Sequence, residues 1–193
     1  MSAEVFIIPG FKQSPSKYEF QKIGKMFEGK SIKPIYIEIP WNNSTITDNV
    51  KFFLEKYHQS RADKKYILGF SFGAVISLLS ASMVRFDTVI LCSLSPYFPE
   101  DLPNLKKSWI KSIGTKRLCD FKSFDTLNII SSVNSSVFLL YGTKEGEEIE
   151  KRAFDVFNQL NCIKEIVKIN GSKHDIGDTN YLKEIKTVIE KLK

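Results

Sequence analysis

Tyr66-Ile67-Leu68-Gly69-Phe70-Ser71-Phe72-Gly73-Ala74-Val75-Ile76-Ser77-Leu78-Leu79 decides the reading of this chain. Tyr66-Ile67-Leu68 has the unbroken apolar character of a buried strand, and Ala74 to Val84 has that of a buried, uncharged helix. Between them stands a serine with a glycine on either side, Gly69-Phe70-Ser71-Phe72-Gly73. A residue at so sharp a strand-to-helix junction takes a strained backbone conformation, and flanking glycines remove the crowding that the turn creates. The hydroxyl is then held proud of the sheet edge, where a base can reach it. Tyr66 to Val84 is also nearly long enough to cross a bilayer. Gly69, Gly73, Ser71, Ser77, Ser80 and Ser82 interrupt it, so no transmembrane segment is expected.

Outward from this centre, strand-like and helix-like patterns alternate. Val5-Phe6-Ile7-Ile8 is a short apolar run closed by Pro9-Gly10. Ser14-Pro15 has the form of an N-cap with proline at the first helical position, followed by the stripe Phe20, Ile23, Phe27 and then Gly29. Ile32 to Ile39 reads as extended, and Val50, Phe53, Leu54 and Tyr57 recur at helical spacing. Beyond the central unit come strands at Thr88 to Cys92 and Val137 to Tyr141, and a helical stripe of Ile149, Ala153, Val156, Phe157 and Leu160. A last strand at Ile163 to Ile169 and a last helix through Leu182, Ile185, Ile189 and Leu192 complete the pattern. Repeated strand–helix units predict an α/β protein: a three-layer α/β/α sandwich around a mainly parallel sheet of about six strands. The runs at Ile32 and Ile163 are laced with polar and charged residues and are expected at the sheet edges; the others are expected inside.

Residues 1–193 are expected to form a single domain with a substantial core. Ser95 to Ser136 alone lacks a clear helical stripe. It holds Pro96, Pro99 and Pro103 with Tyr97, Phe98, Trp109, Phe121 and Phe124, and a short helix around Asn104 to Ile113 fits. Two readings stay open for 95–136: a lid or substrate-contacting insertion, or a crossover whose aromatics pack on the sheet.

Cys92, Cys119 and Cys162 are odd in number, scattered and without Cys-x-x-Cys spacing. They read as reduced thiols of a cytoplasmic protein, not as a disulfide frame or zinc site. The start of the chain lacks the basic, then long apolar, pattern of a secretory signal. Part of the +6 formal charge lies in Lys106, Lys107, Lys111, Lys116, Arg117 and Lys122, which could meet an anionic substrate or membrane surface or form a solvated face. Neither Gly-x-Gly-x-x-Gly nor a phosphate-binding Walker loop is present, and no nucleic-acid partner is expected.

A serine hydroxyl is a poor nucleophile near neutral pH and needs a base within hydrogen-bond reach. Of the two histidines, His58 sits among Lys56, Gln59 and Arg61 and reads as a surface residue. His174, in Gly171-Ser172-Lys173-His174-Asp175, directly follows the last strand, at the carboxyl end where Ser71 also emerges. The base needs a carboxylate to fix its tautomer. Glu145 follows the Val137 to Tyr141 strand and emerges at that same end; Glu147 and Glu148 are close rivals. Asp175 is too near His174 to fold back on its ring, and Asp178 fits a cap of the last helix. His174 with Asp175 and Asp178 is a weak metal set, and no metal is expected.

Here the chain resembles the α/β-hydrolase family. The order Ser71, Glu145, His174 matches that family's order of nucleophile, acid and histidine, and the resemblance spans nearly the whole chain. It implies a minimal, capless α/β-hydrolase fold whose first strand stands for the family's usual third. It further implies that Ser71 attacks a carbonyl, His174 relays the proton and Glu145 orients His174. The oxyanion hole would be the backbone N–H groups of Phe72 and Phe11. Two departures stand out: Pro9-Gly10-Phe11 replaces the frequent His-Gly, and glutamate replaces the commoner aspartate. The resulting expectation is a serine hydrolase acting on a small-molecule acyl ester or thioester through an acyl-enzyme, without a cofactor. Trp41, Tyr97 and Phe98 are candidates for the acyl pocket. The alternative is a non-catalytic ligand- or partner-binding protein on a hydrolase scaffold.

Overall fold

The structure, a computed structural model, describes residues 1–192. Its strands are β1 (Ala3–Ile8), β2 (Lys33–Tyr36), β3 (Lys64–Phe70), β4 (Thr88–Cys92), β5 (Ser136–Gly142) and β6 (Lys164–Ile169). They form one sheet in the order β2-β1-β3-β4-β5-β6, with every neighbouring pair parallel. The helices are α1 (Tyr18–Glu28), α2 (Ile46–Gln59), α3 (Phe72–Ala81), α4 (Lys107–Ile113), α5 (Thr115–Lys122), α6 (Thr126–Ser131), α7 (Glu147–Gln159) and α8 (Thr179–Glu190). The two edge strands are those the sequence marks by their polar residues. Among the described residues, no helix is long and apolar enough to cross a membrane.

Side-chain alternation builds a core on each face of the sheet. Val5, Ile7, Tyr66, Leu68, Ile90 and Leu140 point one way, against Phe20, Ile23 and Phe27 of α1 and Tyr181, Ile185 and Ile189 of α8. Phe6, Ile8, Ile67, Val89, Leu91, Val137 and Leu139 point the other way, against α2, α3 and α7. The chain runs outward from β1 to β2 and then crosses back to β3 on the other side of β1. That reversal opens a crevice at the carboxyl ends of β1 and β3, where parallel sheets receive ligands.

Helix α3 is wholly buried and lies close to the sheet. A Cβ on Gly73 would strike the carbonyl oxygens of Ile8 and Pro9, and one on Gly69 would strike the Gly73 carbonyl and Ser77 Oγ. Both glycines are therefore needed for the close approach of β1, β3 and α3 around Ser71.

Three local expectations need correction. Helix α1 starts at Tyr18 after Lys17, not at Pro15. Ser14 Oγ donates to Glu38 Oε2 at 2.9 Å, and the Pro15 carbonyl accepts from Gln21 Nε2 at 2.9 Å, so both residues belong to the loop. The helix near Asn104 to Ile113 is a 3-10 turn at Leu102–Asn104 followed by α4. Residues 95–136 further contain α5 and α6, whose short lengths leave no apolar stripe to read. The start of α6 carried a signal all the same: Asp125 caps it, accepting from the Asn128 amide at 3.1 Å.

A buried ion pair fastens this insertion to α7. Arg152 is 0 % exposed; its guanidinium donates to Asp101 Oδ1 at 2.6 Å, reaches Glu100 at 3.0 Å, and lies over the Phe98 ring. Burial pushes the Asp101 carboxyl up, against the opposing pull of Arg152 and the Phe98 amide. Removing one partner of a buried pair strands the other. Arg152→Ala is expected to lower the unfolding free energy in urea by about 3–5 kcal/mol; a loss under about 1 kcal/mol would show that the insertion is anchored elsewhere.

Candidate active site

Ser71 occupies the turn between β3 and α3 with φ 58° and ψ −118°, in the left-handed region that costs a residue with a Cβ roughly 1–3 kcal/mol. Its amide donates to the Cys92 carbonyl at 2.9 Å, which ties the turn to the end of β4. A serine at a helix N-cap ordinarily accepts from the amides of the first turn. Here the hydroxyl makes no capping bond. It is turned outward instead and lies 3.0 Å from His174 Nε2.

The next links are equally direct. His174 Nδ1 lies 2.7 Å from Glu145 Oε2. A carboxylate only accepts, so Nδ1 carries the proton and Nε2 is left to accept from Ser71. The Glu145 side chain is fully buried, whereas that of His174 is 41 % exposed. The other oxygen of Glu145 is held by two donors, the Gly142 amide at 2.5 Å and Ser93 Oγ at 2.8 Å. Gly142 must be glycine here, because a Cβ would collide with the Ser172 carbonyl and come within 3.0 Å of that same carboxylate oxygen.

Ser93 was not singled out from the sequence. It is 0 % exposed, has φ 51°, and lies 2.8 Å from the Tyr181 hydroxyl. Proton counting settles the directions. Ser93 has one proton, which goes to Glu145, so Tyr181 supplies the proton between the two hydroxyls. Tyr181 Oη also donates to the Leu140 carbonyl at 3.0 Å, so its single proton is shared between Ser93 Oγ and that carbonyl, which accepts as well from the Ser93 amide at 2.8 Å. Burial holds the Tyr181 phenol well above its ordinary range, so it stays a donor. The readable signal was a pair of serines, Ser93 and Ser95, directly beyond the apolar run Val89-Ile90-Leu91-Cys92. Ser95 Oγ lies 3.1 Å from Ser71 Oγ.

Residues flanking Ser71 complete the arrangement. Phe72 opens α3, and its amide is among those a helix N-terminus leaves without an intrahelical acceptor. Phe11 sits in a turn closed by the Gln13 amide on the Gly10 carbonyl at 3.0 Å and by the Gly10 amide on Gln13 Oε1 at 3.1 Å. Neither the Phe11 nor the Phe72 amide has a protein acceptor among the described residues. Their rings lie 5.2 Å apart, and a Cβ on Gly10 would stand 3.2 Å from Ser71 Cβ. Gln13 is a second residue the sequence did not announce.

Ser71, His174 and Glu145 open on a cavity of about 380 Å³ whose wall includes Phe11, Phe72, Tyr97, Trp109, Ile113 and Ile149. Tyr97 lines this cavity, and burial pushes its phenol up to about 12. Trp41 and Phe98 are not in the lining. Trp41 packs edge-on behind Phe11 and Phe72, and Phe98 is drawn back under the Arg152 guanidinium. Of the remaining acids, Glu147 and Glu148 belong to the first turn of α7, and Glu148 reaches Lys106 at 3.9 Å. Asp178 caps α8 through the Asn180 and Tyr181 amides. His58 is exposed on α2. Two residues of the basic segment are engaged within the fold: Lys116 binds the Asn43 carbonyl at 2.6 Å, and Arg117 binds the carbonyls of Trp41 and Ile113.

Other chemistry has less support. Cys92 is buried, and burial with the nearby Glu145 carboxylate holds its thiol well above the ordinary range, so it offers no rival nucleophile. No group of three or more His, Cys, Asp or Glu side chains that could hold a metal is found among the described residues. A second depression, of about 400 Å³, opens at the amino ends of the strands between Thr88, Ser136 and Lys164; no histidine lines it.

Comparison with known proteins agrees with this topology. No protein-family model matches the sequence, and no curated protein matches it. Solved structures do. Est1E from Butyrivibrio proteoclasticus superposes with a TM-score of 0.84 at 14 % identity, over 98 % of this chain and 86 % of that one. A monoacylglycerol lipase from Paleococcus ferrophilus gives 0.76 at 13 %, over 98 % and 93 %. Alpha/beta hydrolase domain-containing protein 10 from mouse gives 0.72 at 13 %, over 98 % and 89 %. The chain has the α/β-hydrolase fold.

The short bond from Nδ1 to Glu145 makes a prediction independent of any activity. Proton NMR is expected to show a far-downfield imidazole N–H resonance that vanishes in His174→Asn and moves upfield in Glu145→Gln. A wild-type spectrum lacking that resonance at low temperature would contradict the arrangement.

Proposed function

We propose that the protein is a serine hydrolase that cleaves a carboxylic ester or thioester through an acyl-enzyme. One observation carries this reading: the hydroxyl, imidazole and carboxylate of Ser71, His174 and Glu145 stand in one hydrogen-bonded line, 3.0 Å and 2.7 Å apart, at the floor of a cavity. The fold shared with an esterase-type hydrolase such as the monoacylglycerol lipase adds to it, as do two amides free to receive an oxyanion.

In this reading Ser71 Oγ attacks the carbonyl carbon while its proton passes to His174 Nε2. The carbonyl electron pair moves to oxygen, which is received by the Phe11 and Phe72 amides. Such a donor contributes about 3 kcal/mol to the transition state. Collapse expels the alcohol or thiol, which takes the proton from His174. A water then repeats the sequence and releases the acid. Glu145, fixed through Gly142 and Ser93, holds the imidazole in its productive tautomer and balances the charge it acquires. The five aromatic rings of the cavity wall, those of Phe11, Phe70, Phe72, Tyr97 and Trp109, suit a substrate with a flat or extended apolar portion.

A fluorophosphonate probe is expected to label the wild type and leave Ser71→Ala unlabelled. His174→Ala is expected to keep its fold by circular dichroism and to lose about four or more orders of magnitude in kcat on p-nitrophenyl esters. Wild-type protein left unlabelled beside a labelled control hydrolase would refute the reading. A series of p-nitrophenyl esters of graded length, run beside acyl-thioesters, would identify the preferred acyl and leaving groups.

A further inference from the structure

The Ser71–His174–Glu145 line does not use every polar contact of the nucleophile. Ser95, just beyond β4, is 3 % exposed and lines the cavity, with its Oγ 3.1 Å from Ser71 Oγ. Each hydroxyl has one proton. That of Ser71 is directed to His174 Nε2, which the Nδ1–H···Glu145 bond leaves as an acceptor. The proton between the two serines must therefore come from Ser95. No other side-chain hydrogen bond of Ser95 is present among the described residues. Its backbone is fixed by the bond from the Tyr97 amide to the Ser95 carbonyl at 3.0 Å.

We propose that Ser95 is a further catalytic residue, a hydrogen-bond donor to the oxygen of the nucleophile. The inference rests on the serine-hydrolase reading and adds a group to it. When Ser71 Oγ attacks, a lone pair forms the bond to carbon while the O–H pair stays on oxygen and the proton leaves for His174. During deacylation, the electron pair of the breaking Oγ–C bond returns to Oγ, which is then reprotonated from His174. In both steps Oγ carries more negative charge near the transition state than as a hydroxyl or an ester oxygen, so a bond donated to it strengthens there. The Ser95 proton stays on Ser95 throughout. Because one atom gains charge in both half-reactions, one donor serves both.

The test is pre-steady-state burst kinetics on a p-nitrophenyl ester, comparing wild type with Ser95→Ala. The expected result is a fall of about tenfold in both the acylation and deacylation rate constants, the loss of one hydrogen bond, with KM nearly unchanged. Fluorophosphonate labelling should slow by a similar factor, and Ser95→Thr, which keeps the hydroxyl, should restore both steps. Should Ser95→Ala fail to fold, Ser95→Cys, nearly equal in size and a weak donor, carries the same expectation. Rates within twofold of wild type in both steps, or slowing of one step alone, would overturn the proposal while leaving the Ser71 chemistry intact. A wild type that neither turns over nor labels would instead refute the underlying reading.

Discussion

The whole arrangement depends on how closely α3 can approach the sheet. Gly73 lies against the carbonyls at the end of β1, and Gly69 lies against Gly73 and Ser77. With those contacts made, the single residue left to join strand and helix has little choice of conformation. Ser71 is forced to a positive φ, and its hydroxyl cannot fold back to cap its own helix. The strain is local, and the surrounding packing sustains it: α3 is buried along its full length, and interior strands lie on both sides of β3.

Much of this was legible from sequence because the deciding signals are local. Continuous apolar runs marked β1, β3, β4 and β5 as interior, and lysine and glutamate marked β6 as an edge. The strand-to-helix change around Gly69 and Gly73 marked Ser71, and position after a strand marked His174 and Glu145, the latter with Glu147 and Glu148 as rivals. The geometry that joins these three side chains depends on distances no pattern encodes. What escaped notice depended on packing between distant segments. Ser93 and Ser95 read as ordinary loop residues until β4 is placed between β3 and β5. Gln13 matters only because its side chain reaches back to Gly10. Trp41 and Phe98 failed as cavity residues for the same reason: aromatic character does not reveal which layer a ring occupies, and each was claimed by a neighbour, Phe11 or Arg152.

The loop beyond β4 stands between both ends of the polar line. Its two serines face different partners, Ser93 toward Glu145 and Ser95 toward Ser71, because the positive φ of Ser93 turns the chain directly after β4. Tyr181 of α8 joins through Ser93, so the helix that follows the His174 loop is also hydrogen-bonded to the acid's support. Glu145 is thereby held by Gly142 of β5 and by Ser93 of the loop beyond β4, which Tyr181 of α8 backs in turn.

Arg152 separates two kinds of structural duty. Ser71, Glu145 and His174 stand on the segments that follow β3, β5 and β6, while Tyr97, Trp109 and Ile113 come from the segment between β4 and β5 that Arg152 fastens from below. Change in α4 to α6 would therefore alter the cavity wall without moving Ser71, Glu145 or His174, so long as that one guanidinium keeps its two carboxylates. The fold has in effect an exchangeable wall bolted to a fixed machine.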